Sequence, residues 1–243
     1  MTGIPIGRLS WQTEITEDAY TTSASGSGSG LVGVLLSGEG TVVTRGTISR
    51  GQLVPASVTS DVKDEDGNTD LRMTFEDGVA KLLTAEPPPK PDRVPVTEAH
   101  RIGVTDPLSA MLIPVVVDGD FLMPENCHRT LAIFDGQRRY NVALSFKRTG
   151  TIKVANGYSG PALVCGAILQ PVAGHRAGSM LVKYVAGRRD VELWFAPITG
   201  ARFIAPIRVS MPTLIGTLEI NADWFEAVPT PARVPIEPNA ARR

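Results

Sequence analysis

Few side chains in this sequence are able to do chemistry, and they are scattered. Three histidines (His100, His128, His175) and two cysteines (Cys127, Cys165) are present. Asp106, Ser109 and His175 supply the parts of a hydrolytic triad: an orienting acid, a nucleophile and a base. Ser109 lacks the Gly-x-Ser-x-Gly elbow that would expose its hydroxyl on a strand–turn–helix. A serine in a capped turn instead bonds the backbone. A zinc site from the three histidines lacks every local spacing signal, and Cys127, His128 and Cys165 make a poor ligand set because adjacent strand residues face opposite ways. The Ser-Gly stretch 23–30 carries no Gly-Lys-Ser/Thr and precedes no helix, so it is no phosphate loop. The acidic run from Asp61 to Asp70 lacks the glycine and distal glutamate of a calcium loop. The expectation is a non-enzymatic chain with no catalytic residue, no metal and no cofactor, the alternatives being a structural or adaptor domain acting through its surface or a hydrolase with an unrecognised site.

The richest polar cluster is Phe134-Asp135-Gly136-Gln137-Arg138-Arg139-Tyr140. It reads as a hairpin in which Asp135-Gly136 turns and two arginines decorate the returning strand. Because Arg138 and Arg139 are adjacent, a strand would send them to opposite faces, placing one inside. An inward guanidinium needs an anionic partner: Asp106, Asp135 and Glu192 within the protein, or a bound carboxylate or phosphate. His175 is expected in a loop near a turn. Asp106, Ser109, Asp135, Arg138, Arg139 and His175 are thus the candidate ligand-binding or structural polar residues. Arginine outnumbers lysine 18 to 6, a bias that a GC-rich genome explains more simply than phosphate recognition.

The elements that must position these residues have a period of two almost everywhere. Val142, Leu144 and Phe146 alternate with Asn141, Ser145 and Lys147, and Leu218, Ile220, Ala222 and Trp224 with Thr217, Glu219, Asn221 and Asp223. The same alternation runs through 190–195 and 202–211. These are strands with one buried face. Turn signals fall at 64–68, 76–78, 135–136, 186–189 and 199–200. Ser23 to Gly30 is read as a strand with glycines on one bare face, the alternative being a linker. About a dozen strands result, which suits an all-β chain: one large antiparallel β-barrel, spiral or incompletely closed. One short helix is expected near residues 107–113, with Asp106 as its N-cap, Pro107 in the first helical position, and Pro114 ending it by Ile113. A polyproline connector, 86–91, separates the first third. Residues 1–228 are assigned to the barrel and 229–243 to a Pro-rich flexible tail.

The chain has 243 residues with 42% hydrophobic content and a formal net charge of -1. A chain of this length closes a sizeable core without metals or disulfides, and the charge balance argues against a nucleic-acid partner. No apolar run reaches the ~18–20 residues of a spanning helix. Met1 to Arg8 lacks a signal peptide, yet Gly3 to Trp11 reads like the interior of a strand; the natural chain is expected to extend further towards its N-terminus. Cys165 lies in an apolar run and Cys127 just before Leu131–Phe134. A disulfide and two buried thiols both remain open. Closing that loop would stabilise the fold by roughly 4 kcal/mol in the chain-entropy model. With 6% aromatic residues, a barrel of this many strands is wider than side chains readily fill.

Several of these stretches, in order, carry a resemblance: Asp106-Pro107-Leu108-Ser109-Ala110, the Phe134–Tyr140 hairpin, Cys165, Pro171-Val172-Ala173-Gly174, Pro206-Ile207-Arg208-Val209-Ser210, then Pro212-Thr213 and Gly216. The chain resembles domain-of-unknown-function family 3108, in an alphaproteobacterial form, over 3–228. The resemblance implies a secreted, periplasmic antiparallel β-barrel whose signal peptide is absent from the given sequence. It implies no activity. Other periplasmic barrels of this general character shelter lipids or support the envelope, so the expected partners are a lipid or other hydrophobic small molecule, or envelope proteins.

Overall fold

The computed structural model describes residues 7–28, 38–64, 67–88, 90–116, 120–213 and 216–228. Strands β1 (Gly7–Ile15), β2 (Ala19–Gly28), β3 (Gly38–Ser49), β4 (Gln52–Asp64), β5 (Gly67–Glu76) and β6 (Val79–Glu86) follow one another as a six-stranded antiparallel sheet in chain order. The Ser-Gly stretch is therefore strand through Gly28; Gly30, Gly33 and 31–36 lie outside the described residues. At the β5–β6 turn, Asp77 and Gly78 have φ of 51° and 74°. Both residues are left-handed, as in the type I′ turns that match strand twist. Arg50-Gly51 repeats this at the β3–β4 turn, with φ of 51° and 73°.

The polyproline segment leaves this sheet, as the composition shift at 86–91 suggests. The chain then crosses through a 3-10 turn (Glu98–Arg101), helix α1 (Pro107–Ala110), β7 (Ile113–Pro114) and a second 3-10 turn (Pro124–Cys127). Next come β8 (Arg129–Phe134), β9 (Arg139–Lys153), β10 (Asn156–Gly157), β11 (Ser159–Ala173), helix α2 (Met180–Gly187), β12 (Val191–Pro197), β13 (Phe203–Thr213), β14 (Gly216–Asn221) and β15 (Trp224–Phe225). The second sheet runs β14-β13-β12-β11-β9-β8, with β7 also on β13; β10 and β15 form a small parallel pair.

The all-β class and the expected helix agree with the structure, which is a strongly curled half-barrel. The long sheet is divided in two, because the crossover after β6 interrupts strand pairing. The helix is one turn, Pro107–Ala110, shorter than 107–113, and α2 occupies ground where a turn at 186–189 was expected. Its apolar residues fit either period, and Ser179 caps it by accepting a bond from the Val182 N–H at 3.3 Å. The assigned tail, 229–243, lies outside the described residues.

Buried clusters join the two sheets. Val58, Met73 and Ala80 of the first pack with Val104 and Phe134. Trp11, Ile15, Ile48 and Leu53 pack against Leu112, Phe203 and Ala205. A third cluster surrounds Cys127 and Cys165, both fully buried and bridged as a disulfide with Cα atoms 5.6 Å apart. Of the two open readings of the cysteines, the disulfide is the one present.

Candidate functional site

The curl leaves an open trough of about 4180 Å³ lined by both sheets. The first sheet contributes Val42, Val62 and Leu71; the second contributes Leu169, Val209 and Met211. Val42, Val62, Leu169, Val209 and Met211 are only half-buried, so the protein leaves apolar surface on this concave side. The glycine face is less bare than the sequence suggests. Gly26 and Gly40 are register partners, and a Cβ at Gly40 would stand 2.8 Å from Val62 Cγ2, one at Gly26 3.3 Å from Leu9 Cδ1. Side chains of the adjoining strands lean over these glycines.

Next to the trough, whose lining includes Tyr20 and Leu108, sits a buried polar network. Asp106 is 0% exposed. Its Oδ1 accepts from the N–H groups of Leu108 and Ser109 at 3.0 and 3.1 Å and from Thr44 Oγ1 at 2.7 Å. Its Oδ2 accepts from Ser109 Oγ. Because the one Ser109 hydroxyl proton goes to the carboxylate, the Tyr20 hydroxyl, 2.6 Å away, donates to Ser109 Oγ. Burial raises the Tyr20 phenol well above its ordinary value, with the Asp106 charge adding and the Ser109 bond opposing. Asp106 is thus an N-cap, as its place before Pro107 predicts, and also the tie between α1, β2 and β3. The sequence points to Asp106 and Ser109 but not to Tyr20 or Thr44, which read as ordinary alternating strand residues. His175 Nδ1 has no hydrogen-bond partner, and the Ser109 hydroxyl is taken up by Asp106 and Tyr20, so the three triad-forming residues do not assemble into one.

Asp135, Arg138, Arg139 and His175 meet at the β8–β9 hairpin. Asp135 Oδ1 accepts from the N–H groups of Gln137 at 2.9 Å and Arg138 at 2.6 Å. Burial pushes its carboxyl above the ordinary carboxylate range; the Arg138 charge and these N–H donors act against that. Arg138 lies in the turn, before β9 begins, so strand alternation does not sort it from Arg139, and both line the trough. Arg139 donates to the Tyr140 carbonyl at 2.6 Å and to Asn141 Oδ1 at 2.7 Å. Burial raises the Tyr140 phenol, with Asp135 and Asp106 adding and Arg138 opposing.

The third acid considered for an inward arginine, Glu192, belongs elsewhere. It accepts two bonds from Arg148, at 2.7 and 2.8 Å, and one from Lys147 at 3.4 Å. These interactions hold its carboxyl down to about 2. Arg148 and Arg208 lie over the Trp194 ring at 5.2 and 5.3 Å. Among the described residues, no three His, Cys, Asp or Glu side chains stand together as a metal site, and no helix is long and apolar enough to cross a membrane.

No curated protein and no solved structure matches the chain. One family model does, that of "Protein of unknown function (DUF3108)", over residues 1–223. With a match of that extent on a curled, almost wholly β fold, the chain belongs to the DUF3108 family.

Proposed function

We propose that this chain is a non-enzymatic periplasmic protein that shelters a hydrophobic or amphipathic, lipid-like molecule in its trough, in the service of the cell envelope. The observation that carries this reading is the half-buried apolar lining contributed by both sheets. Apolar surface gains about 25 cal/mol per Å² when removed from water, and on a concave wall an elongated apolar ligand is well shaped to cover it. The volume is several times the ~300–1,000 Å³ of a small-molecule pocket, so a single acyl chain would occupy part of it. The buried disulfide suits an oxidising compartment. A structural or adaptor domain acting through its surface would have no use for the apolar concave face that the described residues form.

The test is native mass spectrometry of protein exported to the periplasm, with solvent extraction of bound lipid. Co-purifying lipid, or uptake of added fatty acid or phospholipid, is the expected result. Protein that is consistently empty and takes up neither sinks the proposal.

A further inference from the structure

Three separate segments converge at the hairpin end of the trough. Val94 N–H donates to the His175 carbonyl at 2.9 Å, and Gly174 N–H to the Val94 carbonyl at 2.7 Å. Arg93 and Arg176 are bridge partners, and Arg139 is the register partner of Ala173. Gly174 has φ of 77°, and a Cβ there would stand 1.9 Å from the Gln137 carbonyl oxygen and 2.7 Å from Arg138 Cα. Only glycine lets the segment press so closely on the hairpin. Backbone bonds and this close approach therefore concentrate Arg93, Arg138, Arg139, Arg176 and His175 at one place on the trough wall.

The charge there is unbalanced. Asp92 pairs with Arg176 at 2.8 Å and lies 3.9 Å from Arg93. Asp135 faces Arg138 and spends its Oδ1 on two backbone donors. Among the described residues, Arg93, Arg139 and Arg176 gather around the single carboxylate of Asp92, which leaves positive charge in excess there on a chain whose net charge is -1. The same trough is lined by Val42, Val62, Val209 and Met211.

We infer that this part of the trough is an oxyanion site: Arg93 and Arg138 bind the carboxylate or phosphate headgroup of an amphipathic ligand whose chain lies along the apolar wall. The inference rests on the trough being a ligand site, and adds the headgroup class. Guanidinium groups match either anion with paired hydrogen bonds. A charge-assisted bond is worth a discrimination of about tenfold or more.

The experiment compares hexadecanol, palmitate and 1-palmitoyl-lysophosphatidate in displacing a fluorescent apolar probe from the full chain. Both anions are expected to bind at least ~10-fold more tightly than the alcohol, the tighter of the two identifying the headgroup. Arg93→Gln and Arg138→Gln, made singly so that either suffices if the other misfolds, are expected to erase most of that preference and leave hexadecanol unchanged. Equal binding of alcohol and anions, or a preference that survives in the folded variants, overturns the headgroup site while leaving the trough reading intact. Failure of all three ligands to bind overturns both.

Discussion

Replacing Asp106 tests the network that ties the two halves of the molecule together. Asp106→Ala removes the N-cap of α1, worth about 1 kcal/mol. It also strands the Thr44 and Ser109 hydroxyls, whose residues are 0% and 3% exposed, at about 1–3 kcal/mol each. The total is ~3–7 kcal/mol. Asp106→Asn keeps Oδ1, which accepts three of the four bonds, and places an amide donor opposite Ser109 Oγ. Ser109 can then accept from the amide and donate to Tyr20, so only the Tyr20 proton loses its acceptor, at a cost of ~1–2 kcal/mol. Tyr20→Phe removes the terminal donor alone and should cost about 1 kcal/mol. Equilibrium urea unfolding reads the series. With a slope of ~2–3 kcal/mol per molar, the alanine variant's midpoint should fall by about 1–3.5 M and the asparagine variant's by well under 1 M. A fall below ~0.3 M for alanine, or equal losses for alanine and asparagine, would refute the account of Asp106 as a four-bond acceptor.

The Glu192 carboxyl, held down to about 2 from an ordinary 4.5 by Arg148, stabilises the fold fully above about pH 4.5 and loses that contribution as pH falls towards 2. Glu192→Gln should therefore be less stable than the parent at pH 7 by no more than ~1 kcal/mol, with the gap narrowing at pH 3 and in high salt; a gap indifferent to pH counts against the ion pair. Reduction of the Cys127–Cys165 bridge, 38 residues apart in sequence, should raise the mass by two protons and lower stability by roughly 4 kcal/mol. Free thiols in oxidised protein, or an unchanged unfolding midpoint after reduction, contradict it.

Strand content is legible because alternation is local: successive side chains on a strand face opposite ways whatever lies beyond. The Asp106-Pro107 cap is legible for the same reason, since Asp106 meets Leu108 and Ser109 within three residues. Helix α2 is not, because an apolar run such as Met180-Leu-Val with one lysine satisfies both periods, and only the Ser179 cap distinguishes them. Neither is the alternation of Arg138 and Arg139 a guide, since the turn extends to Arg138 and the rule applies only inside β9.

By itself the sequence determined the β class, the turns at 76–78, 135–136 and 199–200 and the cap of α1, and it pointed to Asp135, Arg138, Arg139 and His175 without bringing them together. It left open whether the cysteines pair, and it did not divide the strands between two sheets. Tertiary structure alone decided that Tyr20 and Thr44, 89 and 62 residues from their partners, complete the Asp106 network. It also decided that Val42 and Val209 line one trough and that Arg93 stands beside Arg176. The physical reason is that alternation specifies two faces for each strand but not what either face meets. That depends on sheet order and curl, which are set by packing between residues distant along the chain.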